Sequence, residues 1–468
     1  MKEQEKNEFY IHPTVLRVLR IVAIVLAVLI IYFSASAAFT FCLSLFADGD
    51  YVVQLPWQES PVVSLEDIPQ QTKNIYVDPS QMMEIARVDI AVAGDVMMHM
   101  PIVRTSQTMD GYDFSPVFSY IKPYITAADF AVANLETTLS GTDGIGYTGF
   151  PNFNSPDAIA RSAKDAGFDM LLTGNNHSYD YGTAGLKRTL SVLRGMDIAS
   201  LGTQESPDQA RYTVQTVGGI NIGMICYTFG EVDDGGTVTI NGMTTDSSAE
   251  GLINAFDYDY LNRFYTEMEG QIAAMHAAGA DAIVMYIHWG DEYSTIVSDT
   301  QRNIAQNLCD LGVDVIVGSH PHVVQPLDLL TSTVDPTRKT VCLYSTGSFL
   351  GNLRAETIGM TTGYCEDGAL LRFTLAKYND GSVRVNAVKV LPTWILVQGS
   401  DENRDFFILP LDQTIPDWSG TFGLSAEEYS NAKSSYNRTM ELVTPGLNKI
   451  SNYLTEKNAA LDPSLGVG

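Results

Sequence analysis

From about Arg87 onward, short and mostly apolar runs alternate with longer helix-like stretches. The runs are Val88–Ala93, Phe130–Ala133, Met170–Leu172, Ile220–Tyr227, Ala282–Ile287, Val313–Val317 and Val341–Tyr344. Each is too short for a helix and too uniformly apolar for a strand with one wet face. Between them lie Pro156–Gly167, Ala184–Gly195, Tyr260–Gly279 and Thr300–Gly312, whose closing glycines suit helix C-termini. Strands of this kind alternating with helices form βαβ units and a largely parallel sheet buried on both faces. Asp380-Gly381, between Leu370–Tyr378 and Val383–Val390, predicts a hairpin. Residues from about 400 are more polar and are expected to wrap the periphery.

In a parallel sheet the residues just after each strand share one rim, where open α/β folds place their ligands. Here those residues carry most of the chemistry. Val88–Ala93 is followed by Gly94-Asp95, and Phe130–Ala133 by Asn134-Leu135-Glu136. Met170–Leu172 leads into Thr173-Gly174-Asn175-Asn176-His177, then Asp180 and Gly182. Ala282–Ile287 leads into His288-Trp289-Gly290-Asp291-Glu292, and Val313–Val317 into Gly318-Ser319-His320-Pro321-His322. Of seven histidines, four fall on this edge, beside Asp95, Glu136 and Asn176. Imidazole and carboxylate together suit first-row divalent ions such as Mn, Fe or Zn. On a tight loop stiffened by Pro321, His320 and His322 can approach one ion or a pair of ions from different sides.

Other signals weigh less. His99 could reach the rim, but a structural or surface role is the favoured reading; His12, in the N-terminal tail, and His276, in a helix, are given no part in the site. Gly141-Thr142-Asp143-Gly144-Ile145-Gly146 has no lysine and suits a flap better than a phosphate cradle. Arg104 offers either a fork for an anionic substrate or a plain surface cation. Asp291 and Glu292 either steady His288 or line a solvated loop. Cys226, Cys309 and Cys342 sit in apolar or amphipathic runs and read as small core residues; Cys365 falls in a loop.

Ile21 to Phe46 contains no charged residue and is long enough to span a bilayer. Arg17 and Arg20 precede it, and Asp48 and Asp50 follow, so residues 1–20 are expected in the cytoplasm and the rest outside. Ala35-Ser36-Ala37 offers the rival of a cleaved signal peptide; the continuing apolar run favours an uncleaved, single-pass anchor in the cell membrane. Residues 47–86, with four prolines, read as a stalk. The net charge of −27 argues against a broad nucleic-acid surface, which needs clustered cations. An anionic substrate must then be gripped locally.

Assembled in order, Gly94-Asp95-Val96-Met97, Asn134-Leu135-Glu136, Gly174-Asn175-Asn176-His177, His288-Trp289-Gly290, Gly318-Ser319-His320-Pro321-His322 and Tyr344-Ser345-Thr346-Gly347-Ser348-Phe349 resemble the bacterial capsule-synthesis CapA family. The resemblance covers roughly residues 87–395, leaving 396–468 as a C-terminal extension. That family in turn is similar to calcineurin-like metallophosphoesterases. The resemblance implies an α/β fold of the four-layer αββα metallophosphoesterase-like type, with one or two divalent ions at the strand ends. It implies Asp95, Asn134 or Glu136, Asn176, His288, His320 and His322 as metal ligands, and His177 as proton donor. Met97 stands where the phosphoesterases carry a histidine, and Asn134-Leu135-Glu136 replaces their bridging aspartate. Three functions follow as expectations: support for synthesis or export of poly-γ-glutamate or a similar anionic polymer, alongside other membrane polymer-synthesis subunits; an extracellular metal-dependent phosphoesterase; or a non-catalytic scaffold of the polymer-making complex.

Overall fold

The computed structural model describes residues 82–233, 235–400 and 403–461. The apolar segment 21–46, with Cys42, His12 and most of the stalk, lies outside the described residues. Among those described, no helix is long and apolar enough to cross a membrane.

The chain opens with a long strand, β1 (Glu84–Val96), a short helix α1 (Met100–Thr105) and β2 (Phe130–Leu135). Next come α2 (Ala158–Ala166), β3 (Met170–Leu172), α3 (Gly182–Gly195) and β4 (Ala199–Leu201). A second run follows: β5 (Tyr212–Val217), β6 (Ile220–Phe229), β7 (Ala255–Phe256), α4 (Leu261–Ala277) and β8 (Ala282–His288). It continues through α5 (Asp299–Leu311), β9 (Val315–Ser319), β10 (Leu327–Thr331) and β11 (Lys339–Leu343). The chain closes with β12 (Ser348–Leu350), β13 (Asp367–Tyr378), β14 (Val383–Ser400), β15 (Asn403–Pro410) and α6 (Ala426–Leu461).

The strands form two large sheets, where their apolar periodicity alone suggests one and the αββα resemblance implies two. The first has the order β15-β14-β13-β1-β2-β3-β4, with β12 also on β1; the second has β7-β6-β8-β9-β11-β10, with β5 also on β6. Both have parallel centres, β1-β2-β3-β4 and β6-β8-β9-β11. Antiparallel strands border them. The expected hairpin is β13–β14.

The alternation of side chains shows how the sheets stack. Val88, Ile90 and Val92 of β1 face one core together with Met224 and Cys226 of β6 and Val284 and Tyr286 of β8. The neighbouring Ala91 and Ala93 face the other way, against α1 and α2. Ile283 and Met285 likewise turn outward, onto α4 and α5. The sheets therefore pack face to face, with helices on both outer faces, which is why the parallel strands read as continuous apolar runs. α5 begins with a capping box between Ser298 and Gln301, and α2 and α5 both end at glycines of positive φ, as their sequences suggest.

The segment after 396 goes deeper than a wrap. β15 is an edge strand of the first sheet, and α6 places Val443 and Ile450 in the core between the sheets. Its polar composition reflects its exposed face. Cys226, Cys309, Cys342 and Cys365 are free and buried.

Candidate metal centre

The parallel strands of both sheets end on one rim. Asp95 lies near the end of β1, Asn134 near the end of β2 with Glu136 just beyond, and His288 is the last residue of β8. His320 and His322 follow β9, and Asn176 and His177 follow β3. The backbone comes unusually close to itself here. A Cβ at Gly318 would stand 1.9 Å from the Tyr344 carbonyl oxygen and 2.5 Å from Trp289 Nε1, and one at Gly94 would stand 2.0 Å from the Gly347 oxygen. Only glycine fits at these positions. The contacts bring the Tyr344–Phe349 segment under both of these rim loops, and Asp95 N–H donates to the Gly347 oxygen at 3.1 Å. Trp289 Nε1 donates to the Tyr344 oxygen at 2.9 Å. His320 (φ 96°) and His322 (φ 56°) both take left-handed backbone, which costs non-glycine residues on the order of 1–3 kcal/mol each. Strain of that kind persists where a site over-determines it.

The side chains form one buried network. Asn134 Nδ2 donates to Asp95 Oδ1 at 2.8 Å and to Glu136 Oε2 at 3.1 Å. Its own Oδ1 accepts from Asn175 Nδ2 at 3.0 Å. Asn134 thus holds both carboxylates through its amide nitrogen, while Asn175 fixes its amide oxygen. His322 Nδ1 donates to Asp95 Oδ2 at 3.0 Å. His288 Nδ1 lies 2.8 Å from Ser319 Oγ, and its Nε2 lies 2.9 Å from Asn176 Oδ1. The remaining Glu136 oxygen, Oε1, is 3.8 Å from His288 Nε2 and 3.7 Å from His322 Nε2.

Two buried atoms in this network have no hydrogen-bond partner: Glu136 Oε1 and His320 Nδ1. Leaving such atoms unpaired is costly, and a cation between them removes the cost. Ligand atoms of Glu136, His288 and His320 lie within 4.8 Å of one another, as do those of Asp95, Glu136 and His322. Glu136 belongs to both groups. A third group joins the exposed Glu292 to His320 and His322. Burial, then the Asp95 and Glu292 charges, pushes the Glu136 carboxyl well above its usual range. Burial, then the neighbouring imidazoles, holds His288 and His320 well below theirs. Neutral imidazoles and a carboxylate starved of positive charge are what a divalent ion requires, so the residues present fit the implied metal.

Beside this cluster is a second device. His177 Nδ1 lies 2.7 Å from Asp180 Oδ2, which also accepts from the Phe153 N–H at 2.6 Å. The Asn241 amide reaches both, at 3.4 and 3.3 Å. Phe153 meets the His177 ring edge-on at 4.7 Å. Nδ1 is thereby engaged by a carboxylate, and Nε2 remains for exchange with a ligand.

The other sequence candidates divide. Arg104 sits on the exposed side of α1, and among the described residues no hydrogen bond or ion pair joins it to the cluster. His99 is mostly buried; its Nδ1 accepts from the Asn352 N–H at 3.1 Å, and burial lowers it to about 4. His276 pairs with the Ala280 carbonyl. The glycine cluster is tied down by Asn154, whose Nδ2 donates to the Gly141 and Gly146 oxygens, both at 2.8 Å. Met97 packs in an apolar cluster with Phe153, Val323 and Leu353. Sequence reasoning gave no role to Asn175, Ser319, Asp180 or Asn241. The first three lie inside the quoted motifs, one to four residues from a ligand candidate; Asn241 has no local signal.

The family model described as bacterial capsule synthesis protein PGA_cap matches residues 89–353, more than half of the chain. This protein belongs to that capsule-synthesis family. All the residues of the cluster fall within the match. Among relatives, the PGA biosynthesis protein CapA of Bacillus subtilis (strain 168) is 28% identical over 300 residues, 64% of this chain and 70% of that protein. The capsule biosynthesis protein CapA of Bacillus anthracis is 25% identical over 278 residues, 58% of this chain and 62% of that protein. A solved structure, the sulfate thiohydrolase SoxB of Thermus thermophilus in complex with glycerol, shares 14% identity and a TM-score of 0.35 over 70% of this chain and 47% of that one. That likeness is too distant to bear on the fold.

Proposed function

We propose that this capsule-synthesis family member supports the making or export of poly-γ-glutamate or a similar anionic polymer through a metal-dependent hydrolytic centre on the rim. In this reading the fold is a metallophosphoesterase-like sandwich, held to the cell membrane by residues 21–46 with its main body outside the cytoplasm and close to other polymer-synthesis subunits. The observation that carries the reading is the buried, partnerless Glu136 Oε1 between His288 and His322.

Asp95, Glu136 and His322 would hold one ion, and Glu136, His288 and His320 a second, with Asn176 Oδ1 beside His288. Divalent ions bound there would supply Lewis-acid polarisation of an acyl or phosphoryl oxygen, lower the pKa of water, and attract an anionic chain to a protein of net charge −27. Asn134 keeps the two carboxylates in register. Asp180 holds His177 so that Nε2–H faces the leaving group. When water adds to the backbone amide carbonyl of the polymer, the C–N bond breaks, the amine nitrogen takes a proton from the imidazolium of His177 at Nε2, and the proton shed by the water returns to His177.

The test incubates the full chain with Mn or Zn and either poly-γ-glutamate or an aryl phosphoester, beside His177→Gln. New polymer amine termini, reduced in the variant, support the proposal. Phosphate release without polymer cleavage would move the assignment to a phosphoesterase, and no turnover of either substrate would leave a scaffold.

A further inference from the structure

Opposite the rim, at the N-terminal ends of β8, β9 and β11, lies a pocket of about 460 Å³. With seven residues in β8 at about 3.3 Å each, it is roughly 20 Å from the metal centre. Arg338, Lys339, Arg384 and Lys457 line it, against only two carboxylates, Asp281 and Asp314. Asp281 is already paired with Lys377 at 2.9 Å. Asp314 accepts from the Ile283 N–H at 2.7 Å, and burial raises it to about 6. Among the described residues, no carboxylate forms an ion pair with Arg338, Lys339 or Lys457; Lys339 Nζ donates only to Thr331 Oγ1 at 2.7 Å. Arg384 has a loose partner in Asp380 at 3.9 Å. Four cations around one cavity are exceptional in a chain with 55 acidic and 28 basic residues.

The cations are arranged over aromatic rings. Lys339 Nζ and Lys457 Nζ stand 5.9 and 5.8 Å from the centre of the Tyr453 ring, and the Arg384 guanidinium stands 5.3 Å from that of Tyr378. A ligand suited to this lining is anionic and also carries short apolar stretches to lie on the rings. A compact inorganic anion would leave the rings unused. Three elements distant in sequence, the β10–β11 connection, the β13–β14 turn and the end of α6, converge to build it.

We propose that this pocket is a second binding site, for a chain of carboxylates on short aliphatic spacers, that anchors the polymer away from the metal centre. The choice of a carboxylate over another anion rests on the polymer reading above; the existence of an anion site does not. Binding here would hold the polymer at one end of the molecule while another part is presented to the rim.

The test is fluorescence anisotropy of a labelled γ-linked glutamate oligomer titrated with the full chain at low salt, where surface charges are least screened. Arg338→Gln/Lys339→Gln/Lys457→Gln is expected to weaken binding about tenfold or more, and Tyr453→Leu to weaken it without changing net charge. A control, Lys122→Gln/Arg161→Gln/Lys187→Gln, removes equal charge from exposed positions elsewhere and is expected to have little effect. Glu136→Gln at the rim is expected to leave this binding intact even where it abolishes turnover. The proposal is overturned by equal weakening from both triple variants, by absence of binding to the wild type, or by loss of binding in Glu136→Gln. Inorganic polyphosphate of matched charge displacing the oligomer as well as unlabelled oligomer does would overturn the carboxylate assignment.

Discussion

Replacing Glu136 by glutamine should change the sign of its effect on stability according to whether metal is present. Without metal, Glu136 is a buried carboxyl whose Oε1 has no partner and whose pKa is pushed well above the usual range by burial and by Asp95. The folded state then holds a proton that the unfolded state releases above about pH 4.5. Stability is therefore lost as pH rises from the unfolded value toward the folded one, at up to ~1.36 kcal/mol per pH unit. Unfolding entropy of ~2 cal/mol/K per residue over ~380 folded residues makes that ~2 °C in Tm per pH unit. Glutamine keeps the hydrogen bond from Asn134 Nδ2 and removes the titration. In chelator, Glu136→Gln should thus melt higher than wild type, by a margin that grows with pH from about 4.5 upward. Other buried acids, such as Asp314 and Asp367, titrate equally in both proteins and cancel. With a divalent ion at ~100 times its Kd, wild type gains about 2.7 kcal/mol, and the variant, lacking the shared ligand, gains less. The order should reverse. Calorimetric melting of both proteins across pH, with chelator and with Mn or Zn, checks this. Parallel pH slopes in chelator, or a variant less stable under both conditions, would refute the reasoning.

Other consequences are simpler to read. Asp180→Asn should leave metal content unchanged but cut turnover by about 10²–10⁴-fold and shift its pH profile, because His177 loses the carboxylate at 2.7 Å. Gly318→Ala should destabilise by at least ~1–3 kcal/mol in denaturant titrations, since its Cβ would meet the Tyr344 oxygen at 1.9 Å. His99, lowered to about 4 chiefly by burial, contributes stability that is complete above about 6.5 and is lost as pH falls toward 4. That loss is roughly 3 kcal/mol in acid unfolding and should be absent in His99→Phe.

What the sequence revealed and what it hid have physical causes. Strands such as Met170–Leu172 and helices such as Thr300–Gly312 were legible because burial on both faces and capping leave local patterns. The rim was legible because parallel strands deliver the residues after them to one edge. That there are two sheets came from the motif resemblance, which implies an αββα sandwich, and not from strand periodicity, since a strand buried by a helix on one face and a second sheet on the other has the same apolar composition as one between two helix layers. The division of labour within Asn134-Leu135-Glu136 was not legible, since only the folded geometry shows the asparagine clamping both carboxylates and the glutamate common to two candidate ligand groups. α6 looked peripheral because most of its length is polar; two residues, Val443 and Ile450, carry it into the core. The basic pocket left no local trace, because Lys339, Arg384 and Lys457 meet only after folding.

The central claim, that the rim binds metal through Glu136, is tested most directly by elemental mass spectrometry of the full chain after reconstitution with Mn, Fe or Zn. About one or two equivalents per chain, lost in Glu136→Gln and in His320→Ala, is the result expected. No bound metal in the wild type, or the same content in Glu136→Gln, would contradict it.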